Sequence, residues 1–183
     1  MDKYICRKRK VVPKEQCEYI IWHFNNSWKN KKDLICGIEE RGYQGVFGTV
    51  KEYPFFSTIL KHHLTEYIKK HNFLEDELYN ISLPNSRFHI QKYFPGNSYS
   101  IEHMEHGPFK SMLPRIIAWM VYLNDIKKDG GTRWPQQNFT SKPRAGDLYI
   151  WPAGWTHSHY GIPAPNEEKY IVTGWCSMKE ICE

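Results

Sequence analysis

The stretch Lys169-Tyr170-Ile171-Val172-Thr173-Gly174-Trp175 carries the clearest structural signal in this chain. Successive side chains of a β-strand point to opposite faces, so Lys169, Ile171, Thr173 and Trp175 share one face if the stretch is a strand. Burying a lysine without an anionic partner is costly. We therefore predict a strand that presents a cation to an internal cavity, where an anion meets it.

Three further strands are predicted upstream, because short apolar or alternating runs are separated there by Gly, Pro and Asn. They span Phe88 to Phe94, Arg115 to Leu123, and Asp147 to Trp151. In the first of them, the polar residues His89, Gln91 and Tyr93 lie opposite an apolar face. This strand is also predicted to present hydrogen-bonding groups to the cavity.

The first part of the chain has a helical pattern instead. Apolar residues recur every three or four positions from Pro13 or Lys14 onward, and again from Phe55 to Tyr67, which predicts two amphipathic helices. The second helix is expected to end near residues 71–72. Four glycines between Gly37 and Gly48 favour a loop, and no Gly-Lys-Ser/Thr ending follows that would make it a phosphate-binding loop.

The order of these segments predicts the fold class. Helices come first and strands afterwards, with no β-α-β alternation, which is typical of an α+β, mainly β fold with antiparallel sheets backed by helices. A chain of 183 residues has room for one hydrophobic core. We expect a single domain, 1–183, with a helical part, 1–83, and a β core, 84–178.

Composition excludes several classes of protein. Hydrophobic residues make up 40% and charged residues 25% of the chain, which argues against large-scale disorder. The start is charged, and no stretch approaches the roughly 20 apolar residues that a membrane span requires, so a cytoplasmic protein without a membrane partner is predicted. The five cysteines lack any close pairing and are predicted to be free thiols.

The formal net charge is +5, and part of the excess is concentrated in two basic clusters. A basic cluster can attract nucleic acid or an acidic partner, although a solvated basic surface is the commoner explanation. The clusters consist of Lys3, Arg7, Lys8, Arg9, Lys10 and Lys14, and of Lys29, Lys31 and Lys32.

His103-Met104-Glu105 places an imidazole and a carboxylate two residues apart, so an extended segment delivers both from one face. Iron(II) oxygenases need a metal with open coordination positions. Two histidines and one carboxylate bind the metal on one side and leave the other positions free. His159, which lies between two predicted strands, is the candidate third ligand. Lys169 follows at the start of the next strand, where a hairpin return brings its ammonium to the same cavity as a partner for a cosubstrate carboxylate.

Several motifs in this order resemble the prolyl-hydroxylase-like branch of the 2-oxoglutarate and Fe(II)-dependent dioxygenases. The similarity covers Phe88 to Trp175 and is closest to short members from phage and marine microbial genomes, which would act in a host cytoplasm. It rests on Gln91-Lys-Tyr-Phe-Pro-Gly96, His103-x-Glu105, Val121-Tyr-Leu-Asn124, Gly130-Gly-Thr132, Lys142-Pro-Arg-Ala-Gly146, Trp151-Pro-Ala153, His159-x-Gly161 and Lys169-Tyr-Ile-x-Thr-Gly-Trp175.

The resemblance implies a double-stranded β-helix (jelly roll) with N-terminal helices packed on one sheet. It implies iron ligation by His103, Glu105 and His159, and a salt bridge from Lys169 to 2-oxoglutarate. Fe(II) and 2-oxoglutarate are the implied cofactors, with ascorbate as a further candidate. Tyr93, Tyr122 and Thr173 are expected to border the cosubstrate.

Two positions depart from the family pattern. Most members carry Asp where this chain has Glu105, and the extra methylene moves the carboxylate by about 1.5 Å. Lys169 stands where Arg is commoner, so a point charge replaces a bidentate fork. Both residue types occur in relatives, so we expect the site to tolerate them.

Other residues near these motifs have competing interpretations. His157 shares strand parity with His159 and is the alternative third ligand, while His89 and His106 are more typical of satisfied polar histidines. Gly130-Gly-Thr132 is a turn signal without a catalytic role. Four aromatic residues either belong to the core or rim the cavity mouth and stack on a substrate: Trp134, Phe139, Trp151 and Trp155.

Several functions stay open on the sequence alone. Hydroxylation of a peptidyl residue such as proline, with release of succinate and CO₂, is favoured by the resemblance, so a peptide or protein is the expected substrate. The same chemistry on a nucleobase or small molecule is an alternative, and the basic N-terminal stretch supports the nucleobase. A non-catalytic β-barrel binding module is the third hypothesis, in which Glu105 impairs the iron site. A zinc hydrolase is the alternative enzyme, because zinc could use the several histidines, but this hypothesis gives no role to Lys169.

Overall fold

The computed structural model describes residues 2–27, 43–49, 52–71, 81–82 and 87–179. Two α-helices lie in this part of the chain, α1 (Lys14–Ser27) and α2 (Pro54–Lys70), and a short 3₁₀ helix spans Trp155–His157. Ten strands accompany them: β1 (Cys6–Lys8), β2 (Tyr43–Thr49), β3 (Ile81–Ser82), β4 (Arg87–Tyr93), β5 (Arg115–Tyr122), β6 (Thr132–Trp134), β7 (Phe139–Thr140), β8 (Leu148–Pro152), β9 (Tyr160–Gly161) and β10 (Lys169–Met178).

The strands form two sheets in which every pair is antiparallel. The larger sheet has the order β1-β8-β5-β10-β4-β2, with β3 paired to the end of β10. The smaller sheet has the order β7-β6-β9, and an isolated antiparallel bridge joins His103 to His159 just before β9. This arrangement is the predicted mainly β, double-stranded β-helix.

Alternation along the strands divides the core in two. One face of the larger sheet packs on both helices through residues such as Phe88, Trp119 and Val172, which join Phe56 and Leu60 of α2 in one cluster. The opposite face carries a second cluster with many aromatic rings and receives Trp134 from the smaller sheet. The helices therefore cover one face of the sheet, and the other face is left for a site between the sheets.

The two predicted helices and the four predicted strands are confirmed, with boundaries that differ by at most three residues. Neither described helix combines the length and the apolar character needed to cross a bilayer. Cys6, Cys17 and Cys176 are free thiols, while Cys36 and Cys182 lie outside the described residues.

The predicted loop from Gly37 to Gly48 is wrong for its second half, because residues 43–49 form β2 and pair with β4. The glycines have a packing role: a Cβ on Gly48 would overlap the ring of Phe88, and one on Gly45 would lie 2.8 Å from the Tyr43 ring. Glycine thus allows large aromatic side chains to lie flat on this strand. Residues 37–42 lie outside the described residues.

The aromatic residues with competing interpretations divide by position. Trp134 and Trp151 are fully buried, and Phe139 is partly buried against the inner cluster. Trp155, on the 3₁₀ helix, is 74% exposed. Three of the four are therefore core residues, and Trp155 alone is available to a partner.

Candidate active site

A cavity of about 300 Å³ lies between the two sheets. Its wall contains every residue for which the sequence predicted a role in metal or cosubstrate binding: His103, Glu105, His159, Lys169, Tyr93, Tyr122 and Thr173. Strand parity is confirmed as well, since His89, Gln91, Ile171 and Trp175 also line it. The cavity is therefore built from the inward faces of β4, β5 and β10, together with the segments that carry His103 and His159.

His103 and His159 are brought side by side by the backbone. The N–H of each donates to the carbonyl of the other, at 3.0 and 2.9 Å, and their ring centroids are 4.5 Å apart. Glu105 Oε1 lies 3.7 Å from His103 Nε2 and 3.4 Å from His159 Nε2. Three potential metal donors thus converge on one point at the cavity wall.

Backbone carbonyls fix the orientation of both imidazole rings. Nδ1 of His103 donates to the Ile101 carbonyl at 2.8 Å, and Nδ1 of His159 donates to the His157 carbonyl at 3.0 Å. A carbonyl can only accept, so the proton of each neutral ring lies on Nδ1 and the lone pair lies on Nε2. This tautomer is the one that a metal ligand needs, and a backbone acceptor is a common partner for a ligating histidine.

The donor set fits a divalent metal. The donor atoms of His103, Glu105 and His159 all lie within 4.8 Å of one another. Neighbouring ligands at about 2.1 Å from a metal are about 3 Å apart in octahedral geometry, so a small contraction of the present separations completes the site. Two imidazoles and one carboxylate on one side of a metal are typical of non-haem iron(II) centres with open positions.

Glu105 is anchored through one of its two carboxylate oxygens, Oε2. Oε2 accepts a 2.8 Å hydrogen bond from the indole N–H of Trp175 and lies 3.7 Å from Arg115 Nη1. Arg115 stacks on the Trp175 ring at 3.6 Å from its centroid. Burial alone would raise the pKa of Glu105, but its interactions with His103 and His159, which are strongest when the imidazoles are protonated, outweigh burial and hold the pKa well below its usual value. Oε1 is therefore left as an anionic donor facing the two imidazoles.

Lys169 lies on the same cavity wall and is only 4% exposed. Its ammonium contacts the Ile162 carbonyl at 3.4 Å and lies 4.6 Å from the centroid of the Tyr93 ring. Burial lowers its pKa from 10.5 to about 8, and no carboxylate among the described residues lies within 4.0 Å to oppose this effect. A buried cation of this kind favours an anionic ligand.

The other predicted cosubstrate residues have internal hydrogen-bond partners. The Tyr93 hydroxyl donates to Gln91 Oε1 at 2.9 Å, and the Thr173 hydroxyl donates to the Trp119 carbonyl at 2.9 Å. The Tyr122 hydroxyl lies 2.7 Å from Ser141 Oγ and 3.1 Å from Thr132 Oγ1. These contacts fix the positions of the side chains, and a ligand would share their hydroxyl groups with the existing partners.

The competing histidines are located differently. His157 is buried away from the cavity, with Nε2 3.6 Å from Asp2 and its ring edge-on to Tyr4. His106 does not line the cavity either, and its Nδ1 lies 3.4 Å from the Arg115 carbonyl. His89 does line the cavity and packs edge-on against Trp175.

Sequence reasoning missed several residues of the site. Arg115 has the strand parity of Ile117 and Trp119, which pack on the helices, so alternation predicts the wrong face for it. The pairing of β5 with β10 is irregular at this end, and Arg115 lines the cavity.

Thr132, which was interpreted as part of a turn, begins β6 and lines the cavity. Tyr43 and Tyr99 also line the cavity. Tyr43 was not predicted because the glycines around it indicated a loop, and Tyr99 was not predicted because it precedes His103 in a segment without a strand pattern.

Comparisons with known proteins agree with this geometry. Residues 88–177 match the model of the 2OG-Fe(II) oxygenase superfamily. No curated protein sequence gives a significant match.

Solved prolyl hydroxylases have a similar fold. A viral collagen prolyl hydroxylase from Paramecium bursaria Chlorella virus-1 is 19% identical over 96% of this chain and 97% of its own, with a TM-score of 0.68. A Pseudomonas putida prolyl-4-hydroxylase is 16% identical over 97% and 94%, with a TM-score of 0.71. A Trichoplax adhaerens prolyl hydroxylase, in complex with a hypoxia inducible factor peptide fragment, is 18% identical over 96% and 84%, with a TM-score of 0.60. At these identities the likeness establishes the fold.

The Trp175→Phe variant tests the support of Glu105. It removes the indole N–H that binds Oε2 and keeps an aromatic ring against Arg115. We expect divalent metal affinity, measured by anaerobic calorimetry with Fe(II) or Mn(II), to fall roughly 10- to 100-fold, as for other groups that orient a ligand. The matched control is Trp151→Phe, because Trp151 also lines this cavity and its indole N–H has no hydrogen-bond partner among the described residues. Equal losses in both variants would contradict a specific role for Trp175.

Proposed function

From the premise that this chain belongs, through residues 88–177, to the 2OG-Fe(II) oxygenase superfamily, we propose that it hydroxylates a C–H bond of a peptidyl residue such as proline. Dioxygen is the oxidant: one of its atoms enters the new hydroxyl group, and the other enters the succinate that forms, with CO₂, from 2-oxoglutarate. The whole chain, 1–183, acts as one catalytic domain in this proposal.

One observation carries the proposal: three potential metal donors face the same cavity as a buried ammonium that has no carboxylate partner among the described residues. His103, Glu105 and His159 hold Fe(II). Lys169 binds the distal carboxylate of 2-oxoglutarate, and Tyr93, Tyr122 and Thr173 border the cosubstrate. When bound, Fe(II) and 2-oxoglutarate supply the oxidising chemistry, and the protein supplies orientation and a water-poor cavity.

The surface around the cavity mouth supports a peptide substrate. Five of the eight large apolar side chains exposed in the described part of the chain lie close in sequence to the metal donors. We call these five the apolar rim: Ile101, Met104, Phe109, Leu113 and Trp155. Soluble proteins rarely concentrate exposed apolar surface in this way unless it binds a partner.

Met104 joins the apolar rim to the cavity, and hydrogen bonds fix the segment that carries Trp155. Met104 is both exposed and part of the cavity wall. The 3₁₀ helix that carries Trp155 is fixed by Gln136 Nε2, which donates to the Trp155 carbonyl at 3.2 Å, and by Ser158, which donates to Glu102 at 2.6 Å. A residue that enters the cavity from a peptide therefore leaves its flanking residues against apolar side chains.

The nucleic-acid alternative has weaker support. In the first basic cluster, Arg7 pairs with Asp147, Lys8 with Glu66, and Lys14 with Glu18. The charges of these three cations are therefore partly neutralised, whereas the exposed residue Met104 at the cavity is apolar. Lys29, Lys31 and Lys32 lie outside the described residues.

Succinate formation tests the proposed reaction and the metal donors together. We expect His103→Ala and His159→Ala to abolish succinate release from Fe(II) and 2-oxoglutarate, assayed with and without ascorbate across peptide, nucleic-acid and amino-acid pools. His157→Ala is the matched control, because its side chain faces Asp2 and Tyr4 rather than the cavity, and it should keep its activity.

The visible charge-transfer band of the Fe(II)–2-oxoglutarate chelate, followed anaerobically, separates an enzyme from a binding module. Absence of the band in the wild-type protein would contradict the proposed iron site. The opposite pattern in the variants, with His157→Ala inactive and His159→Ala active, would overturn the choice of third ligand.

The pH dependence of cosubstrate binding tests Lys169. Because burial lowers its pKa to about 8, the side chain is an ammonium below that pH and becomes neutral above it. An anion binds the charged form, so affinity for 2-oxoglutarate should be level below about pH 8 and fall by roughly tenfold per unit above it. Calorimetry with saturating Mn(II) at several pH values measures this slope. Lys169→Arg stays charged over the range, so the decline should disappear in this variant.

Trp155→Ala tests the apolar rim. With proline-containing peptides that stimulate succinate formation, we expect KM to rise roughly fivefold or more and kcat to change little, since an exposed aromatic anchor contributes to binding. Trp22→Ala is the matched control, because Trp22 is 60% exposed but belongs to α1. A similar KM in the wild type and Trp155→Ala would place the peptide elsewhere.

A further inference from the structure

We propose that His62, His63 and Glu66, on the exposed side of α2, form a second metal site that binds zinc(II). The site is separate from the cavity and does not depend on the proposed hydroxylase function. It has the same donor composition as the cavity site, two imidazoles and one glutamate, but it faces solvent.

Helix geometry brings the three donors together. Glu66 is one turn after both histidines, at i+4 from His62 and i+3 from His63, so all three side chains project from one side of α2. His62 Nε2 lies 3.7 Å from Glu66 Oε1, and His63 Nδ1 lies 3.1 Å from Glu66 Oε2. A helix of 17 residues fixes this spacing without help from a loop.

The separations match those of ligands that share a metal. Donors at about 2.1 Å from zinc are about 3.4 Å apart in tetrahedral geometry. The donor atoms of His62, His63 and Glu66 all lie within 4.8 Å of one another. Three protein donors leave the fourth position to water, and imidazole donors favour zinc over iron(II) in the divalent series.

A cation already lies at this position. The Lys8 ammonium, from β1, is 3.1 Å from the Glu66 oxygen that also contacts His63. Zinc would have to displace this ammonium from the carboxylate. Lys8 therefore competes with zinc for Glu66, and removing Lys8 should strengthen zinc binding.

The larger sheet separates this site from the cavity. The other side of α2 buries Phe56, Leu60 and Leu64 against the sheet face that points away from the cavity. Because the two sites share no residue, each can be removed by mutation without altering the donors of the other.

Calorimetric titration of zinc(II) into the full chain tests the site. We expect one zinc equivalent to be lost in the double variant His62→Ala/His63→Ala, and also in Glu66→Gln, which preserves the shape of the side chain. The control Lys61→Ala changes an exposed residue of the same helix and should bind as the wild type does. Circular dichroism verifies that each variant is folded.

Lys8→Ala gives the discriminating result. Removing the competing ammonium should tighten this zinc equivalent by about two- to fivefold, the range expected for an exposed ion pair. His159→Ala should retain it, so failure of the cavity site and failure of this site are distinguishable. Unchanged stoichiometry in Glu66→Gln and in the double variant, or weaker zinc binding in Lys8→Ala, would overturn the proposal.

Discussion

The site depends on the pairing of two short backbone segments at the edge of the smaller sheet. Two hydrogen bonds between His103 and His159 join parts of the chain that are far apart in sequence and set the imidazoles 4.5 Å apart, centroid to centroid. Each ring is then oriented by a carbonyl two residues earlier in its own segment. The two imidazoles are thus positioned by backbone hydrogen bonds and do not depend on any single contact between side chains.

The same arrangement carries a cost in stability. Burying the Glu105 carboxylate and the Lys169 ammonium removes both charges from water, which costs free energy. The protein offsets this cost for one group and not for the other. Glu105 has partners in the imidazoles, Trp175 and Arg115, so its charge is compensated within the protein. Within the described part of the chain, the Lys169 ammonium contacts a carbonyl and an aromatic ring but no carboxylate. An anionic ligand at Lys169 would therefore recover energy that the fold alone leaves unrecovered.

The local sequence pattern predicts which residues face the cavity, but it does not predict the contacts between distant strands. Strand periodicity predicts which residues of β4 and β10 face the cavity, including Lys169 and Trp175, because alternation is a property of neighbours in sequence. The hydrogen bond from Trp175 to Glu105 spans 70 residues and follows from the pairing of strands, which periodicity does not determine. β2 was mistaken for a loop because its glycines signal turns by composition, whereas here they give space to neighbouring rings.

The position of the Glu105 carboxylate depends both on its own side chain and on contacts from distant strands. A side chain one methylene longer than aspartate has an additional rotatable bond, and a free carboxylate on it would sample several orientations relative to the metal donors. Trp175 and Arg115 hold Oε2, so that only Oε1 points between the imidazoles. Because Arg115 stacks on Trp175, the support is itself packed and does not rely on one hydrogen bond. The longer acidic residue is thus compatible with a precise metal site, provided that β5 and β10 together supply this second layer of contacts.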